Sequence, residues 1–161
     1  MEKIASFLVD HLRLKCGLYV SRKDKFGSTI LTTFDLRFKE PNNEPVMDQS
    51  TLHTIEHLGA TFLRSHEKWA SRIVYFGPMG CRTGFYVIVE GDHDSQSILP
   101  LIREMLDWII VFEGPIPGAS AVECGNWQEQ NLNMAKWEAH RYAALLKNPA
   151  RENLNYPSLI S

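Results

Sequence analysis

Cysteine is scarce in this sequence: 161 residues hold three, an odd number that argues against a disulfide framework. Free thiols in a reducing compartment are therefore expected, available as ligands or catalysts. Charge of one sign is also lacking. Seventeen Lys and Arg against nineteen Asp and Glu leave a net charge of -2, and no basic run offers a footprint for nucleic acid. No hydrophobic run is long enough to span a bilayer. The apolar stretch Phe7, Leu8 and Val9 is too short for a signal peptide and has acids, Glu2 and Asp10, on both sides, so a cytoplasmic protein with no membrane partner is expected. There is no internal repeat, linker or low-complexity tract either. With 44% hydrophobic and 22% charged residues, the chain is expected to fold as a single domain over 1–161 around a genuine core.

What is present centres on His53-Thr54-Ile55-Glu56-His57, an H-x-x-E-H pentapeptide. Leu52, Ile55, Phe62 and Leu63 recur at helical spacing around it, and Asp48 or Ser50 offers a cap. On that helix His53, Glu56 and His57 fall at i, i+3 and i+4, on one side. Two imidazoles one turn apart can grip a divalent cation and leave the carboxylate beside an open coordination position to move protons. Read alone, the pair is equally a hydrogen-bonded or solvated one. Cys124, after a Pro- and Gly-rich turn, adds a candidate thiolate ligand. Three protein ligands and a vacancy describe a catalytic site, whereas a structural zinc site closes with four.

In chain order, 15–21 reads as a strand and 22–27 as a polar turn. A half-buried strand follows over 28–38, with Ile30, Phe34, Leu36 and Phe38 on one face and Thr33, Asp35 and Arg37 on the other. By residue type alone, Arg37 there is a solvated surface group. After the motif helix come strands over 72–76 and 85–90, joined by Gly77-Pro78-Met79-Gly80-Cys81-Arg82-Thr83-Gly84. A second helix carries Ile98 to Ile110, with Pro100 tolerable only near its first turn. The last helix spans about 131–146. This order predicts α+β, an antiparallel-rich sheet packed against helices as an α/β sandwich, with the metal site on a central helix.

Cys81 lies among glycines. A cysteine there is often only a small packing residue, but glycines can also bare a thiol to substrate, and a nearby cation would lower its pKa enough for proton transfer near neutrality.

Five blocks in fixed order resemble the S-ribosylhomocysteine lyase family, the LuxS proteins that make the autoinducer-2 precursor of quorum sensing. They are Ser6-Phe7 through Asp10-His11, Phe34-Asp35-Leu36-Arg37-Phe38, His53 through Leu58, Pro78-Met79-Gly80-Cys81-Arg82-Thr83-Gly84-Phe85-Tyr86, and Cys124-Gly125-Asn126. The resemblance implies a lyase that cuts the thioether of S-ribosylhomocysteine, by carbonyl migration and β-elimination, to homocysteine and 4,5-dihydroxy-2,3-pentanedione. It implies His53, His57 and Cys124 as ligands of one divalent metal per subunit, iron(II) natively with zinc or cobalt as replacements. It also implies Cys81 and Glu56 as the acid/base pair, and Ser6, His11 and Arg37 as substrate contacts in pockets shared across a homodimer. One departure stands out: the family often has an aspartate three residues before the Pro-Met-Gly-Cys block, where this chain has Tyr75. Two rival readings remain on the residues. H-x-x-E-H is also the inverted zinc-peptidase signature, and Cys81 as a fourth ligand would make a closed, non-catalytic structural site.

Overall fold

The computed structural model describes residues 8–157. Two antiparallel hairpins build one sheet: β1 (Gly17–Phe26) with β2 (Thr29–Arg37), and β3 (Ile73–Pro78) with β4 (Gly84–Glu90). β2 pairs with β4, so the order is β1-β2-β4-β3 and every pairing is antiparallel. Helices α1 (Gln49–Ser65), α2 (Ser95–Val111) and α3 (Leu132–Lys147) complete the α+β architecture, which is the expected class.

One sheet face makes the core. Leu18, Leu36 and Phe85 align across β1, β2 and β4, as do Val20, Phe34 and Val87. Against this face lie Ile55, Leu58 and Leu63 of α1 and Ile98, Ile102, Met105, Leu106 and Ile109 of α2, all excluded from solvent. Ala135, Ala139, Tyr142 and Leu146 of α3 close the cluster. Fully burying each of the larger side chains stabilises by roughly 1.5–3 kcal/mol, which fixes the strand parity and hence which residues face the other way.

That other face corrects one expectation. Thr33, Asp35 and Arg37 are not solvated: their exposures are 6%, 1% and 3%, so β2 is buried on both sides. Arg37 fits because its cross-strand neighbours are glycines, Gly17 and Gly84. A Cβ on Gly84 would overlap the Leu36 carbonyl, so the close strand approach itself requires glycine there.

Residues 22–26 continue β1 rather than turning, past an irregularity between Val20 and Arg22, and the turn is Gly27-Ser28. β1 is an edge strand, where charged side chains reach water from both faces and discourage pairing with another sheet, so polarity there does not signal a turn. Gly27 at φ +61° suits the first position of a two-residue hairpin turn. Pro78 likewise ends β3 on the opposite edge, where its missing N–H has no ladder partner to lose. Pro100 sits in the second turn of α2, not the first; it is exposed, as is Gln96, the residue whose carbonyl it deprives of a partner.

Candidate active site

Helix α1 starts at Asp48, whose carboxylate accepts from the Thr51 N–H (2.9 Å) and hydroxyl (2.6 Å). Its buried stripe, Leu52, Ile55, Leu58 and Gly59, turns His53, Glu56 and His57 toward the long connection between α2 and α3. That connection is irregular for some twenty residues, an uncommon length inside a compact domain and one usually kept for function. Thr54, inside the motif, anchors its far end: the Thr54 hydroxyl lies 2.7 Å from Gln130 Oε1 and accepts the Asn131 N–H at 2.8 Å.

The connection supplies a thiol and two carbonyls. His53 Nδ1 donates to the Glu129 carbonyl (3.0 Å), and His57 Nδ1 donates to the Pro117 carbonyl (2.7 Å). A carbonyl only accepts, so these two contacts favour the proton on Nδ1 and turn each ring's Nε2 to the site, although the Gln130 amide nitrogen also lies 3.3 Å from His53 Nδ1. Those two Nε2 atoms face each other at 3.0 Å, and Cys124 Sγ lies 3.3 Å from His53 Nε2. Opposed lone pairs at that distance repel unless a cation stands among them. The three donor atoms lie within 4.8 Å of one another, a two-nitrogen, one-sulfur set that suits a transition metal. The donor chemistry therefore fits a bound divalent metal, with the carbonyls fixing the tautomers as outer-sphere partners do. The Asn126 N–H reaches Cys124 Sγ at 3.4 Å, and at Gly118, φ +71°, an added Cβ would crowd the His57 ring at 3.2 Å from Nδ1.

Glu56 is half-buried on the same wall, its Oε2 3.9 Å from His57 Nε2 and outside the three-donor set. Together with His53, Leu52 and Gln49 it lines a cleft of about 630 Å³ whose opposite wall is Pro78, Met79, Gly80 and Arg82. The Cys81 loop thus faces the metal helix. Cys81 is itself exposed, with Sγ 3.1 Å from the Thr83 hydroxyl and 3.9 Å from Arg37 Nη1. Among the described residues it is not in the metal-donor set, so the chain by itself does not assemble the closed four-ligand site. The next residue, Arg82, holds φ +59°, a left-handed conformation costly for a branched-off side chain and found at functional turns.

Arg37 is clamped by Asp35 through Nε (3.0 Å) and Nη2 (2.5 Å), and its Nη1 donates to Thr83 Oγ1 (2.6 Å). Burial opposes its charge, but the adjacent Asp35 carboxylate more than offsets this and holds its pKa above the ordinary arginine value. His11 is half-buried, with Nδ1 2.8 Å from the Val9 carbonyl, and is not on the cleft wall. Ser6 lies outside the described residues. Tyr75 stands beside an irregularity in β3, 46% exposed and on the Asp35 face of the sheet; its hydroxyl occupies the space over Gly77, and it provides no acid.

The family model for S-ribosylhomocysteinase (LuxS) matches residues 4–153. The chain belongs to this family. It is 58% identical over 157 residues to the S-ribosylhomocysteine lyase of Clostridium acetobutylicum, covering 98% of this chain and 99% of that protein. The lyase of Desulfotalea psychrophila is 58% identical over 159 residues, and that of Borreliella afzelii 54% over 157, each covered completely. Membership in this family disfavours the inverted-peptidase reading, since the H-x-x-E-H helix belongs here to a carbon-sulfur lyase family. No helix among the described residues is long and apolar enough to cross a membrane.

Several contributors had no signature in the sequence. The Pro117 and Glu129 carbonyls are backbone atoms, which no residue type announces. Asp35 read as a surface acid, and only its i, i+2 spacing from Arg37 on one strand face hinted at the clamp.

Proposed function

We propose that the protein is an S-ribosylhomocysteine lyase, releasing homocysteine and 4,5-dihydroxy-2,3-pentanedione. The observation that carries this reading is the open His53, His57 and Cys124 donor set beside a free carboxylate, in a chain of this family. When bound there, the metal supplies Lewis-acid polarisation of the sugar's carbonyl and hydroxyl oxygens. The thioether carbon is reached only after the carbonyl has moved along the opened sugar, since otherwise no proton next to it is acidic. Each carbonyl shift takes a proton from one carbon and delivers one to its neighbour.

Cys81 and Glu56 divide this work in our reading. Cys81, as thiolate, serves the early shift, accepting and returning the carbon-bound proton. Glu56 serves the later shift and the elimination, where it removes the proton whose electron pair expels the homocysteine sulfur. Arg37 is read as a substrate contact, its guanidinium held rigid by Asp35. Ser6 and His11 are read as substrate contacts that complete the pocket across a homodimer, which accounts for the absence of His11 from the cleft wall of its own subunit. Iron(II) is the proposed native ion, one per subunit, with zinc or cobalt as replacements. The whole of 1–161 is proposed as one catalytic domain working in the cytoplasm, within the methyl cycle and autoinducer synthesis.

Incubation of the purified, metal-loaded protein with S-ribosylhomocysteine in the presence of a thiol-detecting reagent tests the proposal. Stoichiometric homocysteine release that stops on chelation is expected. A metal-loaded preparation that released no thiol would refute it.

A further inference from the structure

Tyr156, close to the C-terminal end of the described residues, is tied to the Cys81 loop by an unbroken chain of polar contacts. Its ring stacks on Tyr19 of β1, with centroids 4.7 Å apart and planes 18° from parallel. Its hydroxyl donates to Asp35 Oδ2 at 2.7 Å. The same oxygen accepts from Arg37 Nη2, and Oδ1 accepts from Arg37 Nε, so one edge of the guanidinium is fully engaged. The other edge is thereby aimed away, and Nη1 reaches Thr83 Oγ1 at 2.6 Å and Cys81 Sγ at 3.9 Å. Since Thr83 Oγ1 accepts from Arg37, its own proton is free to point at Cys81 Sγ, 3.1 Å away.

We propose that Tyr156 is a positioning residue for Cys81, acting through Asp35 and Arg37. The inference rests on the reading of Cys81 as an acid/base group and extends it to a tail residue that touches neither substrate nor metal donor. Asp35 and Arg37 are 1% and 3% exposed, so neither is oriented by water, and the direction of the guanidinium is set by what holds the carboxylate. Tyr156 provides that hold. Burial, and then the neighbouring Asp35 charge, push its hydroxyl pKa well above the ordinary tyrosine value, so at neutral pH it remains a donor. Among the described residues, the charged and titratable groups around Cys81 are Arg37 and Asp35 from β2, Tyr86 from β4, Arg82 next in its own loop, and Tyr156 behind Asp35. Of these, Arg37 contacts the sulfur through Nη1, and the uncharged Thr83 hydroxyl contacts it as well. Loosening Asp35 therefore weakens the donors that stabilise a thiolate.

The test is alkylation of the metal-loaded full chain by iodoacetamide across pH, with the Cys81 adduct followed by mass spectrometry. Tyr156→Phe keeps the stack and removes the hydroxyl, with its donation to Asp35 and its contact with Ser21. It is expected to raise the alkylation midpoint by about half a pH unit, and so to slow modification at pH values below the midpoint about threefold, because the thiolate is the reacting form. Lyase kcat should fall while KM changes less. Tyr19→Phe is the control: the Tyr19 hydroxyl donates toward the Lys15 and Glu152 carbonyls, not to Asp35, so its loss disturbs the same packing without touching the chain of contacts. An unchanged midpoint in Tyr156→Phe, or an equal shift in Tyr19→Phe, would overturn the proposal. A Tyr156→Phe shift in a protein that releases no homocysteine would leave the positioning role standing and defeat the lyase reading instead.

Discussion

His53 Nε2 and His57 Nε2 face each other across 3.0 Å while each ring donates its Nδ1–H to a backbone carbonyl. The thiol of Cys124 closes the third side, 3.3 Å from His53 Nε2. Two imidazole nitrogens and a thiol sulfur so convergent form a donor set that suits a divalent cation.

Metal removal is accordingly expected to destabilise the fold. With free metal at a hundred times its dissociation constant, ligation contributes about 2.7 kcal/mol relative to the apo form. Thermal unfolding before and after chelation measures this, and identical midpoints would contradict it. His57→Ala should lose the metal altogether, as read by elemental analysis.

Cys81→Ala and Glu56→Gln should each cut homocysteine release by a factor of about 10²–10⁴, the usual contribution of a positioned acid or base. Metal content should be unchanged, because neither side chain belongs to the donor set. Full activity in the Cys81 variant would remove it from the chemistry.

The three thiols should separate by reactivity. Burial, helped by the Glu44 carboxylate, pushes the Cys16 thiol up to about 12, and it is 8% exposed. At pH 7 the Cys16 thiol therefore stays protonated, so brief alkylation of the metal-loaded protein should mark the exposed Cys81 and spare Cys16. Peptide mapping that found Cys16 modified before unfolding would contradict the buried placement.

Asp48 links the metal helix to pH. Burial raises its pKa, but hydrogen bonds from Ser50 and Thr51 outweigh that and hold it below the usual carboxylate value. A carboxyl whose folded pKa is depressed stabilises above its unfolded pKa, about 3.9, and that contribution disappears as pH falls through the lower, folded value. Asp48→Ala should cost about 1 kcal/mol at neutral pH. Asp48→Asn should keep most of the cap and lose its acid dependence. Denaturant titrations of the three proteins between neutral and strongly acid pH would show the wild-type advantage over Asn vanishing; a gap constant with pH would refute the assignment.

Helix α1 was legible because its signals are local: a capping Asp48, apolar residues at helical spacing, and three ligating or acidic groups at i, i+3 and i+4. The α+β class followed from the order of strands and helices. Misread segments were those whose meaning depends on neighbours distant in the chain. Arg22 to Lys25 looked like a turn because polarity marks turns and edge strands alike, and only the sheet order shows β1 to be an edge. Arg37 looked solvated because alternation predicts a wet face for β2, whereas Gly17, Gly84 and Asp35 give it a dry, paired berth.

By itself the amino-acid sequence determined that two imidazoles and a carboxylate share one side of a helix, since spacing along one helix is set by backbone geometry alone. It also offered Cys124 as a candidate third donor. Tertiary structure decided which nitrogen of each imidazole is offered, because the Glu129 and Pro117 carbonyls that fix the tautomers arrive from a connection more than fifty residues away. It decided equally that Arg37 is a buried, clamped cation beside Cys81. Contacts across the sheet and from Tyr156 impose that, and no pattern local to Arg37 encodes them.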